Sequence, residues 1–347
     1  MAGESEDLLK KRKAEHISIV LNEQVSGANI TSGLERYRFW HNALPELDFT
    51  AIDTSTVFFG KKLRFPLLVS SMTGGAELSA EINKRLATTA ERRGWAMGLG
   101  SMRAVLEHAE LRHTYIVRRY APSIPLFANL GAVQLNYGYG VDECRKAVEM
   151  IEADGLILHL NSLQEVFQPE GDTNFSGLLG KIEKVAHALA VPVGVKEVGW
   201  GISGAVARRL ADAGVSFIDV AGAGGTSWAL VEKYRAHDGL RREAADAFAG
   251  WGIPTAESLI EVRAAVPHIP VIASGGIASG VEAAKAIALG ASLAGFGRSL
   301  LADAVSSAEA LDERFARAEF ELKAAMFGIG AGTIAELAET DALRKCT

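Results

Sequence analysis

Eight short runs of apolar or small residues recur along the 347-residue chain, at 65–72, 95–102, 125–131, 155–161, 191–198, 217–222, 270–276 and 293–300. Val, Ile, Leu and Phe fill their interiors, and most end in Gly, Ser, Thr or Asn, as parallel strands buried on both faces do. Between them, patterns rich in Ala, Glu, Leu and Arg predict helices over 79–93, 141–153, 177–190, 203–213, 255–266, 279–289 and 306–327. Ser203, Thr255 and Ser279 stand where N-caps belong, and Gly94, Gly155, Gly214 and Gly290 where helices must stop. Eight βα units in series close most simply into a (β/α)8 TIM barrel, an α/β fold. An open doubly wound sheet is the alternative, but no strand, Gly-x-Gly-x-x-Gly and helix unit opens the chain.

Before the rhythm starts, residues 1–60 form an N-terminal extension of short pieces without a repeat, so the division expected is 1–60 arm and 61–347 barrel. Lys10-Lys11-Arg12-Lys13 is its only dense basic run. A formal net charge of −6 argues against a nucleic-acid partner or an anionic membrane surface, and an anionic substrate would need local cations. Cys144 and Cys346, far apart, suggest neither a disulfide framework nor a thiolate metal site; packing and a frayed end are expected. Residues 1–16 carry charges where a signal peptide needs an apolar core, and no apolar run reaches membrane-spanning length. A cytoplasmic protein is the expectation.

In such barrels chemistry sits at the C-terminal strand ends. The stretch 155–175 is the richest. Alternation puts Leu158 and Leu160 on one face and His159 and Asn161 on the other, and Gln164, Glu165, Gln168, Glu170, Asp172 and Asn174 follow at once. The remaining ends carry 70–75, 100–103, Asn129, 196–199, 221–228, 274–277 and Gly297-Arg298. Gly275-Gly276 and Gly297-Arg298, after the last two strands, predict a phosphate cup. Lys196 inside an apolar strand would be costly unpaired. Glu197 would face away from it, so an anionic or electron-rich ligand is the better partner. Arg103 could grip a phosphate or cover the barrel rim. Met72, Trp95, Trp228 and Trp251 are expected to pack. The two connections around 103–107 and 229–254 are long, as functional loops are.

These ends, in this order, resemble the type 2 isopentenyl-diphosphate isomerases, a family of flavin-dependent barrel enzymes. The matching pieces are Arg12-Lys13-Ala14-Glu15-His16-Ile17, Met72-Thr73-Gly74-Gly75, Gly100-Ser101-x-Arg103 and Asn129. They continue with His159-Leu160-Asn161-x-Leu163-Gln164-Glu165, Gln168-Pro169-Glu170-Gly171-Asp172 and Val195-Lys196-Glu197-Val198-Gly199. The last are Asp219-Val220-x-Gly222-x-Gly224-Gly225-Thr226, Trp251-Gly252-Ile253-Pro254-Thr255 and Ala273-Ser274-Gly275-Gly276.

The resemblance implies FMN, active when reduced, with NADPH or NADH as reductant, a Mg²⁺ ion, and interconversion of isopentenyl and dimethylallyl diphosphates. It implies that Ser71, Met72, Thr73, Ser101, Asn129, Lys196 and Thr226 surround the flavin, with Gly275, Gly276, Gly297 and Arg298 at its phosphate. Arg12, Lys13, His16, Ser101, Arg103, His159, Asn161 and Gln164 would face the small diphosphate substrate, Gln164 and His159 serving the catalytic end, and Glu165 would hold the metal. A homotetramer or larger homo-oligomer is also implied. Ala221, Ala278 and Met102 depart from the family's usual residues and bear on hydrogen bonding near the flavin. Rival functions are a 2-hydroxy-acid flavin oxidoreductase, which needs a His/Arg pair late in the barrel, and a phosphate-binding barrel without catalysis. No histidine stands among the strand ends after Lys196.

Overall fold

A computed structural model describes the backbone of residues 2–346 and the side chains of 12–346. The side chains of Lys10 and Lys11, in the basic run, lie outside the described residues. Eight parallel strands close into a barrel: β1 (Leu67–Val69), β2 (Ala96–Gly98), β3 (Leu126–Gly131), β4 (Gly155–His159), β5 (Val193–Lys196), β6 (Phe217–Asp219), β7 (Val271–Ser274) and β8 (Leu293–Phe296). All eight fall within the apolar runs, so the (β/α)8 expectation holds.

Alternation explains where each side chain goes. Leu156 and Leu158 of β4 pack outward into the layer shared with the helices, whereas Ile157 points into the barrel with Leu68, Ala96, Phe127, Phe217, Ile272 and Leu293. Phe58 and Leu63, from the hairpin Thr56–Phe58 and Lys61–Leu63, join this interior cluster. Phe127 and Phe217 meet with ring centroids 5.3 Å apart. Each fully buried phenylalanine stabilises the barrel by about 1.5–3 kcal/mol. Two residues further along, the same inward face carries polar groups: Asn129, His159, Asp219 and Ser274, joined by Lys196 of β5. The barrel is therefore dry through its middle and polar at its C-terminal mouth.

The arm is more ordered than its sequence promises. It begins with a helix, Ala2–Asn22, crosses the loops that follow β6 and β8 through 23–33, and adds a strand, Tyr37–Phe39, antiparallel to Leu343–Lys345. Cys346 N donates to Arg36 O at 2.6 Å, so this residue is paired and not frayed. Cys144 is buried, as expected.

Several local expectations need correction. Ser203 and Ser279 cap helices, accepting from Val206 N and Glu282 N, but Thr255 does not. It is the first residue after the cap Pro254, and its hydroxyl donates to Gly275 O at 2.6 Å, tying that helix to the β7 loop. Gly94, Gly214 and Gly290 do turn at positive φ, whereas Gly155 is extended in β4 and Glu152, at φ 51, makes that turn. The long connections are not bare loops: they carry the helices Arg103–Glu107, Trp228–Arg235 and Gly239–Ala247. Trp95 is core, but Trp251 is 59% exposed. No helix among the described residues is long and apolar enough to cross a membrane.

Candidate active site

Two adjoining cavities occupy the barrel mouth, of about 400 and 140 Å³, sharing His16, Ile17, Ser71, Met72, Thr73, Lys196, Val198 and Trp228 as walls. Every residue that the resemblance assigned to flavin, substrate or metal lines one or both, whereas Glu170, Asp172 and Asn174 of the polar stretch after β4 line neither. The larger is bounded by Ser71, Met72, Thr73, Lys196, Thr226, Gly275, Gly276, Gly297 and Arg298. The smaller is bounded by Arg12, Lys13, His16, Ser101, Arg103, Asn129, His159, Asn161, Gln164 and Glu165.

The smaller cavity has a cationic roof. Arg12 and His16 stand one helical turn apart on Ala2–Asn22, as do Lys13 and the buried Ile17, so one face of that helix lies on the mouth. Burial, followed by the charges of Arg12 and Arg103, pushes Lys13 down to about 7. Arg12 is lowered by burial and by Arg103 and Arg235. Opposite, Arg103 is held by Glu107 at 2.8 Å and Asp172 at 2.7 Å, which fix the plane of its fork. Gln134 Nε2 also donates to Asp172, at 2.9 Å. Three basic side chains crowded against a cavity can receive a multiply charged anion.

The helix Ser162–Phe167 brings Gln164 and Glu165 to the floor, with Asn161 just before it. Asn161 Nδ2 donates to Glu165 Oε1 at 2.7 Å and Asp172 N donates to Oε2 at 2.7 Å, so the carboxylate is locked. Burial raises its pKa despite these donors. Each oxygen keeps a spare lone pair, and the neighbouring Asn161 Oδ1 is buried with no partner among the described residues. Among the described residues no cluster of three or more His, Cys, Asp or Glu could cage a metal. A single carboxylate with water and phosphate oxygens fits Mg²⁺, which keeps much of its own hydration.

At the inner wall, β4, β5 and β6 set His159, Lys196 and Asp219 in one register. Burial lowers Lys196, and Asp219 and then Glu197 oppose this; Asp219 is a partner the sequence did not reveal. Glu197 faces away, as expected: its carboxylate accepts from the amides of Val198, Gly199 and Trp200, while Lys196 Nζ donates to its main-chain oxygen at 2.6 Å. Asp219 Oδ1 accepts from Ser274 Oγ at 2.6 Å.

The FMN-dependent dehydrogenase family matches the chain over residues 5–115 and 158–345. Isopentenyl-diphosphate delta-isomerase of Oceanobacillus iheyensis is 52% identical over 96% of this chain and 95% of its own length, and that of Nostoc sp. is 52% identical over 97% and 96%. The chain belongs to the type 2 isopentenyl-diphosphate delta-isomerase family. Like other flavin barrels, this isomerase-family chain shares its fold with Pediococcus acidilactici (putative) lactate oxidase, at TM-score 0.70 and 18% identity over 99% of this chain and 94% of that one. Mandelate oxidase gives 0.66 at 19%, over 99% and 98%. At such identities the likeness speaks for the fold alone.

For an isomerase-family member, the larger cavity fits a flavin on its own chemistry. Ser70 Oγ and Ser71 Oγ are buried at its wall without partners among the described residues. Its far end is a cup of backbone: Gly275 has φ 108, and a Cβ there would lie 2.2 Å from Gly222 O, so only glycine lets the chain come this close. Ala221, one of the isomerase-family departures, also lines this cavity, at φ 37 in the left-handed region, its N–H donating to Asp219 Oδ1 at 3.2 Å.

Sequence reasoning missed Glu232. It is 0% exposed on the helix Trp228–Arg235, where Oε1 accepts from Gln164 Nε2 at 3.2 Å and lies 3.0 Å from His16 Nε2. Arg235 Nη1 lies 2.5 Å from its Oε2. A buried acid in a helical pattern reads as a surface residue when its partners are unknown. Trp228, expected as core, lines both cavities and meets His16 edge to face, centroids 5.2 Å apart.

Proposed function

We propose that the chain interconverts isopentenyl and dimethylallyl diphosphate, holding FMN in the larger cavity and the diphosphate, with Mg²⁺, in the smaller. One observation carries this: a single continuous mouth has two separate anion-recognising ends, the glycine cup with Arg298 and the Arg12, Lys13 and Arg103 cluster. One phosphorylated ligand would use only one of them. The two ends suit a phosphate-tethered cofactor and a diphosphate substrate meeting between Met72, Lys196, Val198 and Trp228.

Moving a double bond in an unactivated alkene requires a proton at one carbon and its removal from another. Bound and reduced by NADPH or NADH, FMN supplies an electron-rich ring and an exchangeable proton to that chemistry. The chain's own residues do the rest. Arg12, Lys13 and Arg103 neutralise and orient the diphosphate, so that binding energy at the charged end places the short hydrocarbon. Glu165 would hold Mg²⁺, which supplies positive charge to the diphosphate. Gln164, fixed by Glu232 and Asn161, positions the reacting end, and Trp228 and Val198 keep water from it. The 2-hydroxy-acid oxidoreductase alternative has no support in the walls: among the residues lining the cavities the histidines are His16 and His159, neither of them late in the barrel.

The test is anaerobic incubation of FMN-loaded, prereduced protein with isopentenyl diphosphate and Mg²⁺ in D₂O, followed by NMR. Deuterium entering dimethylallyl diphosphate without net redox change is the expected outcome. No product, together with lactate or glycolate oxidation, would return the chain to the oxidoreductases.

A further inference from the structure

Arg298 begins the helix Arg298–Ser306 after β8 and lines the glycine end of the larger cavity. No carboxylate pairs with it among the described residues, and burial alone lowers its pKa. Its side-chain hydrogen bond runs to the arm: Nη2 donates to Ser26 Oγ at 2.6 Å. Ser26 lies in the 23–33 crossing, which is pinned on both sides of it. It pairs with Thr226 as an antiparallel bridge, and Ser227 N donates to Val25 O at 2.7 Å. Val25 is 0% exposed against Leu230 and Val231. Further along, Ala28 N donates to Ala249 O at 2.9 Å, and a Cβ on Gly224 would lie 2.0 Å from Ser32 N.

We propose that Ser26 is a positioning residue for the cofactor's phosphate, holding one N–H of Arg298 so that the remainder of the fork is aimed at the anion over Gly275 and Gly276. The proposal rests on the FMN assignment above and deepens it. An arginine with no acid to pair with can wander among rotamers, and that freedom must be given up when phosphate arrives. A hydroxyl on a pinned backbone removes that cost beforehand and keeps the planar donors in register. Through Ser26 the arm then serves both ends of the mouth, since Arg12, Lys13 and His16 on the same arm serve the other.

The experiment titrates apoprotein with FMN and with riboflavin, which lacks the phosphate, and follows the quenching of flavin fluorescence. Ser26→Ala should weaken FMN about tenfold, or about 1.4 kcal/mol, and leave riboflavin affinity at the parent value. In an Arg298→Ala background the same substitution should cost nothing more. Equal weakening of both flavins would mean a mere loop staple and overturn the proposal. So would FMN affinity unchanged in Ser26→Ala, or a cost that simply adds to that of Arg298→Ala. A parent that binds FMN no better than riboflavin would instead overturn the cofactor placement itself, and the role of Ser26 with it.

Discussion

His159 Nδ1 lies 2.8 Å from Asn129 Oδ1 on the adjacent strand. Facing an amide oxygen, Nδ1 must carry the ring proton. Burial, with Lys196 and Lys13 adding, pushes the imidazole down to about 3, so Nε2 is bare at neutral pH. A bare nitrogen repels a phosphate oxygen, and His159 can donate to the diphosphate only by taking up a proton at Nε2. Calorimetry of pyrophosphate binding in buffers of different ionisation enthalpy should therefore show more proton uptake for the parent than for His159→Gln. Equal uptake would remove His159 from the diphosphate.

Lys13, at about 7, is charged below that value and increasingly neutral above it. A bound diphosphate favours the charged form. KM for the diphosphate should then be flat below about pH 7 and rise above it, until the raised pKa of the complex is passed. Lys13→Arg keeps its charge throughout and should flatten that rise. A pH-independent KM in the parent would contradict the placement.

Glu165→Gln keeps the hydrogen bond from Asn161 and removes the charge. The Mg²⁺ concentration needed for half-maximal turnover should rise about tenfold or more, since affinity for this ion follows ligand charge. Flavin binding should be unchanged. Normal Mg²⁺ dependence in this variant would sink the metal assignment.

Arg235 joins Glu232 to Glu15 and Glu170, tying the arm helix to the barrel. Arg235→Met would strand a buried carboxylate and should cost about 3–5 kcal/mol in urea unfolding, with part of the loss recovered by adding Glu232→Gln. Acid probes the same pair. Burial opposes charge on Glu232, but the His16 hydrogen bond and Arg235 hold it down at about 2, below its ordinary 4.5. Its contribution is complete above about pH 4.5 and fades as pH falls towards 2, amounting to about 3 kcal/mol. Glu232→Gln should lack that acid-sensitive portion.

The barrel was legible because eight strands buried on both faces leave eight uninterrupted apolar runs, and inward alternation carried His159 and Lys196 to the mouth. The glycine cup was legible because Gly275 tolerates no Cβ. What the sequence hid depends on partners from distant segments. Glu232 and Arg235 look like an ordinary helical surface until His16, Gln164 and Glu15 arrive. Asp219 and Lys196 stand 23 positions apart and meet only through strand pairing. Thr255 resembles a cap because Pro254 gives no sign of having taken that place. Trp251 was expected inside because tryptophan usually is.

The antiparallel match of Tyr37–Phe39 with Leu343–Lys345 joins segments roughly 300 residues apart, and contacts of such separation are slow to form. Apart from the pairing of β8 with β1, which itself joins distant segments, the cylinder can assemble from neighbouring units before that clasp exists. Until it closes, the helix bearing Arg12, Lys13 and His16 has one fewer anchor. A nascent chain would thus acquire its scaffold early and the full set of cations over its mouth only at the close of folding.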